Sequence, residues 1–140
     1  MSRSAHVDAV LARLREHPVL RDRVFQGVAT KDASGTPRTR YVTIWVGSPT
    51  RAAERYTGPQ HTETYRITTH ATSISPADVG LLEDAVTEQL LDWTPTIAGR
   101  ACRRMVGGDG DEMQYDSDLE PPLYWIPATW ELTTDPEASA

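Results

Sequence analysis

The chain is poor in the residues that build most recognisable sites. It holds a single cysteine, Cys102, so no disulfide can form within it, a pattern that suits a reducing compartment. It holds a single lysine, Lys31, and a single phenylalanine, Phe25, beside four tryptophans and five tyrosines. No stretch approaches the ~20 apolar residues of a membrane-spanning helix, so no membrane partner is expected. The opening residues mix both charges and lack an apolar centre and a cleavage site, so they do not read as a signal peptide. Acidic residues outnumber basic ones, 20 to 14, for a formal charge of −6. Such a surface repels nucleic acid on average. The densest basic spot, Arg100 with Arg103 and Arg104, falls in a predicted strand and reads as a solvated face or a protein interface.

Motifs of catalysis are missing as well. There is no G-x-S-x-G, H-E-x-x-H, C-x-x-C or G-x-x-x-x-G-K, and no nucleophile stands beside a base and an orienting group. Cys102 is explained by packing in a strand. His61 and His70 lie an odd number of residues apart in one strand and point to opposite faces. His6 and His17 lie about three turns apart along one helix; all four histidines read as surface residues. Acids cluster in Gly107–Glu120, where Asp109, Asp111 and Glu112 offer hard oxygen ligands. Counted from Asp109, however, Met113 and Gln114 occupy the fifth and sixth positions, where a calcium loop of the EF-hand type needs an acid and a glycine. The segment reads as a solvated loop. No catalytic residue, cofactor or metal is expected, and the chain does not read as an enzyme.

What is present is a regular alternation of elements. A first helix is predicted over Ser4–His17, with Val7, Val10, Leu11 and Leu14 on one stripe and Pro18 as its stop. The apolar Arg23-Val24-Phe25 follows, then a turn-rich loop over Gly27–Arg38. Arg40–Val46 is the clearest strand, bulky on both faces, with Val42, Ile44 and Val46 opposite Tyr41, Thr43 and Trp45. Gly47–Gln60 reads as a long connection. His61–Ser73 alternates, with Tyr65, Ile67, Thr69 and Ala71 inward and Thr64, Arg66, Thr68, His70 and Thr72 outward. A second helix opens with Ser75 as cap, Pro76 at its first position and Asp78 as capping-box acid. It buries Val79, Leu82, Val86 and Leu90, with Leu81 and Ala85 beside them, and ends by Thr94-Pro95. Strands are predicted near Gly99–Val106 and Tyr124–Thr133, with Gly107–Pro122 as a loop between them. The order points to an α+β domain over residues 1–134, a mostly antiparallel sheet with two amphipathic helices packed on one face. Residues 135–140 are predicted to be a flexible tail.

Tyrosine and tryptophan join an apolar body to a polar tip and serve at half-wet surfaces. Trp130 and Trp93 read as core. Tyr41, Trp45, Tyr56, Tyr124 and Trp125 are interface candidates, together with Asp109, Asp111 and Glu112 of the acidic segment.

The layout resembles a known family. A short N-terminal helix, Val24-Phe25-x-Gly27 and a turn into Tyr41-Val42-Thr43-Ile44 are similar to the opening of the tailed-phage tail terminators. These are the lambda gpU-like proteins that join tail to head. The similarity continues through the Tyr65–Ala71 strand, the helix with Ala77, Leu81, Leu82 and Val86, and the closing Ala128–Leu132 strand. It departs at Arg40, where relatives often have proline, and in the longer, more acidic Gly107–Pro122 segment. The resemblance implies a structural virion protein of the tail or neck, made in the host cytoplasm. Its subunits would form a homo-oligomeric ring, a hexamer, that caps the major tail tube protein and receives a head-completion or stopper protein. DNA would pass through the channel as cargo, with the acidic segment near it. Alternative readings are another neck or tail-completion subunit, such as a head stopper or adaptor, and a small ligand-binding α+β domain.

Overall fold

The computed structural model describes residues 2–29, 31, 34–53, 61–110, 112–119 and 121–136. Helix α1 covers Ser2–Arg15, and turns carry the chain on to strand β1, Val24–Gln26. Then come β2 (Arg40–Val46), β3 (Thr50–Ala53), β4 (His61–Ser73) and helix α2 (Pro76–Leu90). Strands β5 (Arg100–Cys102), β6 (Val106–Gly110), β7 (Gln114–Asp116) and β8 (Leu123–Pro136) complete the fold. All eight strands join one sheet, in the order β1-β2-β4-β8-β5. β3 pairs with β4 beyond the end of β2, and β6 and β7 pair with β8. Among the described strand pairs only β1–β2 is parallel. The domain is therefore α+β, with a mostly antiparallel sheet and both helices on one face.

That face is the core, and period-two alternation builds it. Val42, Ile44 and Val46 of β2 lie beside Tyr65, Ile67 and Ala71 of β4, and these beside Ala128, Trp130 and Leu132 of β8, all buried. From α1, Val7, Val10 and Leu14 cover them; from α2, Val79, Leu82, Ala85, Val86 and Leu90 do so. The two helices are tied by Arg13 Nε donating to the Gln89 carbonyl at 2.8 Å and Gln89 Nε2 donating to the Arg13 carbonyl at 2.6 Å. Leu20, in the turns after α1, is also fully buried.

Several expectations are corrected. The connection after β2 is not all loop, because Thr50–Ala53 pairs with His61–Thr64. The Gly107–Pro122 segment holds β6 and β7, both drawn onto the long edge of β8. Gly107 and Gly108 make that possible. Both have positive φ, and a β-carbon on Gly108 would sit 2.8 Å from the Trp130 ring, so the backbone closes over the indole where no side chain fits. The predicted tail begins too early, since β8 runs to Pro136 and Asp135 is gripped by the Arg103 guanidinium at 2.9 and 3.0 Å. Residues 137–140 lie outside the described residues.

At α2, Ser75 takes the cap backbone conformation but its side chain caps nothing. Asp78 does not close a capping box either. It accepts from the Ser73 hydroxyl at 2.8 Å and meets Arg40 Nε at 2.7 Å, a charge contact whose angle falls short of a hydrogen bond. Leu81 is exposed rather than packed beside the apolar stripe. His6 is no surface residue; it is fully buried, stacked on Tyr65 at 4.1 Å, with Nε2 3.0 Å from Thr134 Oγ1. Around it runs a polar network in which Arg100 Nε donates to the same hydroxyl and Arg100 Nη2 lies 3.5 Å from buried Glu63.

Candidate functional site

The helices leave the other face of the sheet uncovered. On it the strand register lines up Tyr41, Thr43 and Trp45 of β2 with Thr72, His70 and Thr68 of β4, and β8 adds Trp125 beside Thr72. Three rings form a row: His70 stands 6.3 Å from Trp45 and 4.9 Å from Trp125, centroid to centroid. Tyr41 adjoins them and bonds through its side chain to Thr72. Trp45, near the end of β2, is 47 % exposed, high for a ring of that size.

Two rims rise beside this floor. One is the chain leaving β1, where Gly27 lies under the Trp45 ring and Val28 is 77 % exposed. Gly27 N–H donates to the Ile44 carbonyl at 2.9 Å, fixing the rim to β2. The other is where β7 passes into β8, with Asp116 at the end of β7, Leu119 after it and Leu123 at the start of β8. Within these rims is a hollow of about 350 Å³. A second hollow of about 360 Å³ adjoins it through Val28, Tyr41 and Leu119 and adds Lys31 and Arg38.

Burial sets the electrostatics of this surface. It pushes the His70 imidazole below its ordinary value of 6.5, so the ring is neutral at pH 7. It pushes the Tyr41 phenol up, an effect the Thr72 hydroxyl partly offsets. Asp116 is held by an Asx turn, its Oδ1 accepting from the Asp118 N–H at 3.0 Å. Among the described residues it is the one charged group lining the first hollow.

Tyr41, Trp45 and Trp125 thus meet on one surface. Tyr124 is placed on the opposite, helix-bearing face, its ring tilted 36° against Tyr115 with centroids 4.6 Å apart. Glu112 is exposed between β6 and β7. Tyr56 and Asp111 lie outside the described residues, as does the side chain of Asp109, whose backbone pairs with Thr129. Among the described residues, no three His, Cys, Asp or Glu side chains are placed to hold a metal. The sequence reading missed Val28, His70 and Asp116 as members of this surface. Parity along β4 already puts His70 on the outward face, but its neighbours follow only from the register with β2 and β8.

The basic spot resolves into separate ion pairs, Arg100 with Glu63, Arg103 with Asp135 and Arg104 with Asp92. Cys102 is half-buried, and burial raises its thiol above the ordinary range, which disfavours the reactive thiolate.

The chain matches no protein-family model and no curated protein sequence. Its fold does match solved structures. A chain of the virion of a native gene transfer agent particle superposes with a TM-score of 0.61 at 16 % identity, over 91 % of this chain and 92 % of that one. A second solved structure superposes with a TM-score of 0.59 at 13 % identity, over 99 % of both chains. At these identities the likeness is one of fold, and it extends over essentially the whole domain.

Proposed function

We propose that this chain is a structural subunit of a tailed, phage-like particle, and specifically its tail terminator. Subunits would close into a ring, a hexamer, that caps the finished tail tube and presents its other side to a head-completion protein. DNA would pass through the channel without being bound, in keeping with the net negative charge. The virion and its neck are then the working location. The observation that carries this reading is the fold shared over 91 % of this chain with a chain of a native gene transfer agent virion. The sequence layout resembling the tail terminators supplies the finer assignment.

The surface chemistry supports the same view. A subunit of this kind makes and breaks no bonds; its free energy comes from interfaces, in which desolvated aromatic rings dominate. The uncovered face holds such rings in exposed or half-exposed positions. Contacts of the head-to-tail type close into rings when the rotation between neighbours allows it.

The test is the mass in solution by multi-angle light scattering, for the protein alone and mixed with its tail tube protein. A hexamer, or a monomer that becomes one on the tube, is the expected result. A monomer indifferent to the tube removes the terminator role and favours the reading as a small ligand-binding domain.

A further inference from the structure

The hollow on the uncovered face has a chemistry more specific than general stickiness. Its floor is aromatic, with Trp45, His70 and Trp125 in a row and Tyr41 beside them. Among the described residues its one charged lining group is the Asp116 carboxylate, and the adjoining hollow is lined instead by the cations Lys31 and Arg38. Aromatic faces carry negative electrostatic potential and attract cations, guanidinium most often. A planar guanidinium can also stack on a ring while pairing with a carboxylate, which an ammonium cannot do as well. An anionic or neutral guest would leave Asp116 opposed or unused.

We propose that this face docks an extended segment of a partner protein, seating an arginine of that segment over the Trp45–His70–Trp125 row beside Asp116. A carboxylate further along the segment then lies toward Lys31 and Arg38, so the guest is a segment carrying both charges, arginine first in importance. The neutral state of His70 at pH 7 keeps the floor from repelling the guanidinium. The identity of the partner as a virion component rests on the function proposed above; the chemistry of the pocket does not.

The test uses the full chain, ¹⁵N-labelled, and the probe acetyl-Gly-Arg-Gly-Gly-Asp-amide, followed by the four tryptophan indole N–H resonances. Saturable shifts are expected at Trp45 and Trp125 and none at Trp130, which lies in the core. Replacing the probe's arginine by citrulline, of the same shape and uncharged, should weaken binding about fivefold, the size of a cation–π contact plus an exposed ion pair. Asp116→Asn should weaken the arginine probe and leave the citrulline probe unchanged. Trp45→Leu, at an exposed position, should weaken both, with an unshifted Trp130 resonance reporting an intact fold. Equal binding of the arginine and citrulline probes, or no saturable shift at all, overturns the inference. Light scattering with the tube protein reads the ring separately, so a failed probe titration beside an intact ring leaves the functional reading standing.

Discussion

The two faces of the β2–β4–β8 sheet are written in alternate residues of the same three strands, yet they differ in almost every property. The covered face is aliphatic and closed, with Val42, Ile44, Ile67, Trp130 and Leu132 all out of water. The uncovered face is aromatic and threonine-rich, with Trp45 half in solvent and His70 and Trp125 partly so. Trp130 and Trp45 make the contrast sharpest. Each is an indole on a strand, but Trp130 has Gly107 and Gly108 wrapped over it and donates its Nε1–H to Thr69 at 3.2 Å. Trp45 has Gly27 against its ring edge and His70 beside it, and stays 47 % exposed. The chain completes one face with its own helices and leaves on the other the residue types that a neighbour's surface uses best.

The largest effect that could break this comparison is at Trp130. Trp130→Ala should cost about 3–5 kcal/mol in urea unfolding, through lost burial and the cavity it leaves; a cost below about 1 kcal/mol would mean that the covered face is not the core. Next in size, Gly108→Ala forces a β-carbon into the Trp130 ring from a backbone of positive φ, and about 2 kcal/mol of destabilisation is expected. Unchanged stability there would show that β6 does not close over the indole. Trp45→Ala should change stability by no more than about 1 kcal/mol while weakening association with the partner. A large stability loss would reassign Trp45 to the core.

The smallest effect is in pH. Because the folded pKa of His70 lies below 6.5, the unfolded chain takes up its proton first as pH falls. The contribution of neutral His70 is whole above pH 6.5 and is lost progressively as pH drops toward the folded value. Melting temperatures measured between pH 7 and pH 5 should therefore decline less steeply in His70→Gln than in the parent. Parallel slopes in the two proteins would place His70 in water rather than between the tryptophans.

Much of the fold was legible because local pattern and tertiary packing agree. The bounds of β4, His61 to Ser73, are as expected, although burial stops alternating at Ala71–Ser73, and Pro76 opens α2 where expected. What was not legible depends on distant partners. Thr50–Ala53 and Val106–Gly110 have weak strand character of their own and are strands because β4 and β8 outrun their other neighbours and offer open edges. His6 reads as a surface residue because it forms no site with another histidine, whereas its actual environment comes from Tyr65 and Thr134. Asp78 had the spacing of a capping acid, but Ser73 and Arg40 claim its carboxylate. For the candidate surface, composition pointed to Tyr41, Trp45 and Trp125. Tyr124 falls on the other face, because adjacent strand residues face opposite ways.

The long ladder between β4 and β8 has a consequence for how the protein is made. Its cross-strand contacts join residues far apart in the chain, 61 positions for Trp130 with Thr69 and 69 for Thr133 with Thr64. At ribosomal speeds of about 5–20 residues per second, β4 waits several seconds for the strand that completes its sheet. Contacts of such range also slow folding itself. Until β8 arrives, neither Trp130 nor Trp125 is in place, so core and docking face mature in a single event. A chain cut short before β8 lacks both Trp130 and Trp125, so neither face of its sheet is complete.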